Sequence, residues 1–220
     1  MHNLCLGIMR REDVLLRSTP YHFPHSTQVA GTTVVYGGDD RFYQNIFVGG
    51  TSFDQTKGSC GTNSYNGSPS SLEEYEQKVI ALGNGDVEQF MEVKQPVYAK
   101  GNVYLYGAGV YEKECCCYVS HENPLAVLKE EQDGMYLEMN VSQEMLSVPT
   151  ELITTDTLGM VRIVEAPYET PQGEDIIFDT DYNGMMRKAT PKAGPLEDLK
   201  VGKNRIKVWE KPKKDVDTAK

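Results

Sequence analysis

Nothing in the sequence approaches a membrane span. No apolar run comes near the roughly 18 to 20 residues a bilayer requires. Residues 4–9 are too short for a signal core and are followed, not preceded, by Arg10 and Arg11. The expectation is a soluble, unexported, cytoplasmic chain. Cysteine is sparse and odd in number: five, three of them consecutive at Cys115, Cys116 and Cys117, which makes no regular disulfide framework and fits reduced thiols. No Cys-x-x-Cys occurs, and Cys5 and Cys60 have no histidine at ligand spacing, so a structural zinc is unsupported. Positive charge is in deficit, 22 Lys and Arg against 32 Asp and Glu. The resulting field repels phosphates and anionic lipid, so neither nucleic acid nor a membrane surface is an expected partner. No P-loop, dinucleotide fingerprint or Gly-x-Ser-x-Gly elbow is present, so no cofactor is expected and acyl transfer has no support.

What is abundant is strand punctuation. The chain carries 20 Gly and 13 Tyr, with short β-branched or aromatic runs bounded by Gly, Asn, Asp and Pro, so a mostly β fold is expected. One segment has helical pattern. Ser71 followed by Glu74 gives a capping signature, Leu72, Tyr75 and Val79 recur at helix spacing, and Gly83 supplies the stop, predicting a helix near 71–82.

A short unit recurs three times: Asn3-Leu-Cys-Leu-Gly7, Asn45-Ile-Phe-Val-Gly49 and Asn102-Val-Tyr-Leu-Tyr-Gly107. Stacked parallel strands would require such a unit, with each Asn bonding the turn of the next coil in a ladder. The copies start 42 and 57 residues apart, more than the roughly 20 to 30 residues of a plain solenoid coil. Long insertions between coils are therefore expected, and these are where chemistry converges. The plainer reading is an ordinary strand after a turn Asn. Beyond residue 120 the texture becomes hairpin-like: residues 125–128, a Gln132-Asp133-Gly134 turn, residues 136–141, then 176–178 and 205–209. The expected division is 1–111 as coils with inserted loops, 112–210 as a hairpin or sandwich element with a closing coil, and 211–220 as a disordered tail.

Residues able to do chemistry cluster in a few places. His22 and His25 lie between Pro20 and Pro24, which stiffen an extended loop; two histidines without a third ligand make no mononuclear metal site. Asp39 and Asp40 follow Gly37-Gly38 and precede Arg41. Adjacent carboxylates in a tight turn leave one paired with the arginine or displaced in pKa, against the alternative of a capped structural turn. Glu73 and Glu74 suit a helix N-terminus. Asp179-Thr-Asp-Tyr-Asn-Gly184 opens like a calcium loop, but Thr190 stands where the bidentate Glu belongs.

Taken together, residues 19–27 (Thr-Pro-Tyr-His-Phe-Pro-His-Ser-Thr), 37–47 (Gly-Gly-Asp-Asp-Arg-Phe-Tyr-Gln-Asn-Ile-Phe), 71–75 and 101–108 resemble the C-terminal half of the β-xylosidases of glycoside hydrolase family 120. Residues 179–187 with Gly194-Pro195 are similar to the closing coil of right-handed β-helix proteins. The resemblance implies a right-handed parallel β-helix interrupted by a β-sandwich element, and release of xylose from xylo-oligosaccharides with retention of configuration. It implies a nucleophile in the Asp39–Asp40 pair, Asp40 favoured, and an acid/base at Glu73 or Glu74. It also implies Tyr21, His22, His25 and Arg41 around the oligosaccharide substrate, with no metal. Family members are much longer, so the chain is expected to be a fragment, one half of a split pair, or a homo-oligomer covering its first coil. The reading of a different class is a non-catalytic β-solenoid module that binds carbohydrate or a partner chain.

Overall fold

The computed structural model describes residues 1–50, 54, 58–83 and 90–212. Most of the expected disordered tail, residues 213–220, lies outside them. The repeat unit is the heart of the fold. Its three copies form strands β1 (Leu4–Leu6), β5 (Ile46–Val48) and β7 (Val103–Leu105), and with β8 (Tyr118–Ser120) they stack in one four-stranded, all-parallel sheet in the order β1-β5-β7-β8. Between the first two lie β2 (Val14–His22), β3 (Val29–Val35) and β4 (Asp40–Tyr43); β6 (Val97–Lys100) precedes β7. The register is continuous across the sheet, Leu4↔Ile46↔Val103↔Tyr118 and Cys5↔Phe47↔Tyr104↔Val119. Alternate side chains therefore leave by opposite faces. Phe47 and Tyr104 stack at 5.1 Å on one face, within a core that includes Cys60 and Ala108. Ile46, Val48, Val103 and Leu105 point the other way. Both faces are covered, as a parallel sheet requires.

The three asparagines form the expected ladder. Asn45 Oδ1 accepts from the Asn3 amide at 3.0 Å and from its Nδ2 at 3.2 Å; Asn102 Oδ1 accepts from the same two groups of Asn45 at 2.8 and 2.9 Å. The ladder ends on a charge, for Glu114 Oε1 accepts from Asn102 Nδ2 at 2.8 Å and its other oxygen from the Tyr104 hydroxyl. A second parallel ladder pairs β4 with β6 and continues in a bridge from Lys100 to Cys115; a further parallel bridge joins Gly61 to Gly109. Gly61 has φ 94, and a Cβ there would strike the Gly109 carbonyl, so only glycine fits. Parallel pairing thus runs past residue 111 to β8.

Over the aliphatic face lies an antiparallel sheet of β9 (Val127–Glu131), β10 (Gly134–Val141) and β11 (Gly202–Glu210), the first two joined at the expected Asp-Gly turn. Leu137, Met139 and Val141 alternate inward from β10 onto Ile46, Val48 and Leu105. Residues 176–178 are a correction: they form no strand, only a single bridge from Ile177 to Thr154. The stretch read as a stiff loop around Pro20 is a second correction, since residues 14–22 and 29–35 pair as a hairpin, β2 with β3, in which Pro20 lies opposite Thr32. A two-stranded ribbon tolerates the missing amide because each strand has a free edge. Helix α1 spans Leu72–Leu82, with Ser71 Oγ accepting from the Glu74 amide and Gly83 closing it at φ 62. No described helix is long and apolar enough to cross a membrane.

His2 carries a testable consequence. It is 8% exposed and lies against the carbonyls of Lys192 and Gly194, with neither ring nitrogen in a well-formed hydrogen bond. Burial first, then the Arg187 charge, lowers its pKa to about 4. The unfolded chain then binds the extra proton between its ordinary value and about 4, so stability falls with pH across that window. Lowering the pH from 7 to 5 is expected to cost about 2 kcal/mol through this one group. His2→Leu, compared with the parent by urea unfolding at both pH values, should remove that part of the loss; equal losses in both chains would dismiss it.

Candidate functional site

The acidic turn before β4 is held from three sides. Asp13 accepts from the Gly37 amide at 3.0 Å, the Tyr36 carbonyl accepts from the Gln95 amide at 2.7 Å, and β4 pairs with β6. Gly38 leaves room for the Asp40 side chain, which a Cβ there would overlap. The two carboxylates do not share an environment. Asp39, at φ 54, receives the Arg162 amide at 3.0 Å and sits 3.3 Å from Arg41 Nη1. Asp40 is half-buried, and the Tyr65 hydroxyl faces it.

Asp39 is therefore both paired and displaced. Burial raises its pKa against the opposing pull of the Arg162 amide and the Arg41 charge. Three tyrosines surround the pair: Tyr43, whose hydroxyl burial pushes up to about 12, and Tyr98 and Tyr168, also raised chiefly by burial.

Arg41 is a clamp. Its guanidinium lies between the rings of Tyr98 at 4.5 Å and Tyr168 at 4.8 Å, and donates to the carbonyls of Leu158 at 2.7 Å, Met160 at 2.7 Å and Asp39 at 2.9 Å. Those bonds fasten the short helix Thr155–Leu158 and the segment behind it to β4, and they occupy donors expected to meet sugar hydroxyls. Arg162 is buried beside it, bonded to the Tyr75 hydroxyl at 3.1 Å. Among the described residues its Nε and Nη2 have no hydrogen-bond partner.

The remaining expected site residues divide. His25, exposed at the hairpin tip, meets Glu169 at 2.8 Å, next in sequence to the Tyr168 that covers Arg41. His22 turns back on its own loop, its Nδ1 3.0 Å from the Thr27 carbonyl. Tyr21 is half-exposed in β2 opposite Gly31. Glu73 is exposed on α1, where Gln77 Nε2 donates to it at 3.3 Å.

Glu74 is engaged at the start of α1. Burial opposes its ionisation, but Lys113, the Ser70 amide and Lys78 outweigh burial and hold its pKa at about 2. These contacts are those of a helix-capping carboxylate. Glu74→Gln is expected to destabilise the chain by about 1 kcal/mol. The folded pKa is depressed, so the difference should be full above the ordinary glutamate value and vanish as pH falls to about 2. A difference that does not change with pH would mean the Lys113 and Lys78 pairing contributes nothing.

A groove beside the clamp is lined by Tyr43, Tyr98, Lys100, Tyr111, Lys113 and Cys115. Aromatic rings beside ammonium groups suit polyhydroxylated ligands. Among the described residues no three His, Cys, Asp or Glu side chains gather as a metal site. Sequence reasoning missed Tyr98, Arg162 and Tyr168. Nothing local marks them, because Arg162 meets Asp39 across 123 residues of chain.

No protein-family model matches the sequence, and a search of curated proteins gives no match. A solved structure, "The complex structure of XylC with xylose", is similar to it, with a TM-score of 0.86 and 43% identity over 94% of this chain and 32% of that one. The chain thus spans about a third of XylC's length.

Proposed function

We propose that this chain is part of a xylose-directed glycoside hydrolase of family 120, in which its parallel ladders are coils of a right-handed parallel β-helix. The observation that carries the reading is the 43% identity, over 94% of the chain, to a protein solved with xylose. The Asn ladder and the continuous parallel register support the helical reading of the coils. Within it Asp40 is the candidate nucleophile of a retaining reaction and Asp39 its buried neighbour, which Arg41 and Arg162 position. Tyr43, Tyr98 and Lys113 form the wall offered to the sugar. Glu73, exposed on α1 with Gln77 Nε2 donating to it, and Glu74 stay the acid/base candidates of this chain.

The second reading is a sugar-binding module without turnover. It is favoured by one observation: Glu74 and Arg41 spend their polar groups on structure. The test is hydrolysis of para-nitrophenyl β-xyloside by the purified chain, with xylose binding measured by calorimetry on the same sample. Turnover abolished by Asp40→Asn supports the first reading, and turnover unchanged by it removes Asp40 from the mechanism. Saturable binding without turnover selects the module. Neither binding nor turnover overturns the xylose reading for this chain.

A further inference from the structure

The run of three cysteines lies where the second parallel ladder ends. Cys115 bridges to Lys100 of β6, and the chain turns at Cys116, whose φ is 60, before entering β8. That left-handed residue interrupts the strand alternation. Cys115 and Cys116 are consequently both exposed, while Cys117 is half-buried and packs against the Phe47 and Tyr104 core. The two exposed thiols are neighbours in the chain, and the Lys100 ammonium, which also pairs with Glu151, lies close enough to act on them. An ammonium neighbour and solvent access are the conditions under which thiols react. The other three are protected by burial, Cys60 fully and Cys5 and Cys117 partly.

We propose that Cys115 and Cys116 are a vicinal dithiol site that closes reversibly to a disulfide by exchange with a small-molecule disulfide. The inference is independent of the xylose reading. In the first step the Cys115 thiolate attacks one sulfur of the small disulfide, whose S–S bond breaks and releases one thiolate. In the second, Cys116 gives its proton to solvent and attacks the Cys115 sulfur, expelling the other thiolate. Two protein thiols are oxidised by two electrons and one small disulfide is reduced to two thiols, so the balance closes.

Neighbouring Cα atoms across a trans peptide are about 3.8 Å apart, short of the roughly 4.4 to 6.8 Å that a relaxed disulfide spans. The bond so formed is strained and easily reduced, which suits a reversible site and not a staple. Cys115 also stands on the rim of the groove beside Tyr98 and Lys113, so closure alters that wall.

The test uses the whole reduced chain. Brief alkylation with iodoacetamide, read by mass spectrometry, is expected to modify Cys115 and Cys116 and spare the other three. Oxidised glutathione is expected to remove both thiols with the loss of two hydrogens and no retained glutathione, and dithiothreitol to restore them. Cys116→Ser should instead retain glutathione on Cys115. Phenylarsine oxide should bind one per chain, and either single serine variant should weaken it by about 100-fold through loss of the chelate. A wild-type chain that retains the glutathione adduct, alkylation spread over all five cysteines, or arsenical binding unchanged in both variants would each overturn the proposal.

Discussion

Asn102→Ala is expected to lower the unfolding free energy by about 4 kcal/mol, or to prevent folding. Asn102 is fully buried, and its side chain makes four hydrogen bonds, accepting two from Asn45 and donating to the Phe42 carbonyl at 2.6 Å and to Glu114 at 2.8 Å. Alanine leaves the partners behind. The Asn45 amide, the Phe42 carbonyl and one oxygen of a buried carboxylate lose bonds where water does not replace them, and each such group costs roughly 1 to 3 kcal/mol. Glu114 makes the loss steeper, because burial already raises its pKa and the Asn102 donors offset that. The ladder supplies its own control. Asn3 is exposed at the first rung, and its side chain donates to Asn45 at the long distance of 3.2 Å, so Asn3→Ala should cost less than about 1 kcal/mol. Urea unfolding of the Asn3, Asn45 and Asn102 alanine variants should give a rising series. Equal values at the first and third rungs would reduce the ladder to surface turns.

The second large effect is at Arg41. Arg41→Ala removes three bonds to backbone carbonyls and the cation between two tyrosine rings, and it takes away the guanidinium that lies 3.3 Å from Asp39. Breaking a buried ion pair from one side costs roughly 3 to 5 kcal/mol. Arg41→Lys should recover less than half of that, since an ammonium cannot reach three carbonyls in different directions while stacked between rings. Amide exchange should quicken over residues 155–169, the segment that Arg41 fastens, and the Asp39 pKa should climb further because the opposing charge is gone. If Arg41→Ala loses under about 1 kcal/mol, or Arg41→Lys matches the parent, the clamp is a surface ion pair and the turn must be organised by other contacts. A double-mutant cycle with Asp39→Asn separates the pair from the backbone bonds.

Parts of this fold are legible in the sequence because their causes are local. The Asn-strand-Gly repeats, the Ser71 cap with its Gly83 stop, and the Asp133-Gly134 turn each act within a few residues, where backbone chemistry leaves little choice. Pro20 misled in the same local terms: proline opposes a helix and an interior strand, yet a two-stranded ribbon accepts it on a free edge. Residues 176–178 misled because apolar β-branched residues fit a strand or an extended packed loop equally well.

Local chemistry along the chain sets which residues stack, places a charged pair in a tight turn, and starts and stops helix α1. What the charged groups do follows from how distant segments pack. Asp39 and Asp40 are identical in type and adjacent in sequence, yet one meets Arg41 and Arg162 and the other Tyr65. Arg41 was offered to a substrate by its position and was taken by carbonyls more than a hundred residues away. The physical reason is reach. Hydrogen bonds and burial act at contact distance, and contacts between distant segments are set by how the insertions pack, which no spacing along the chain records.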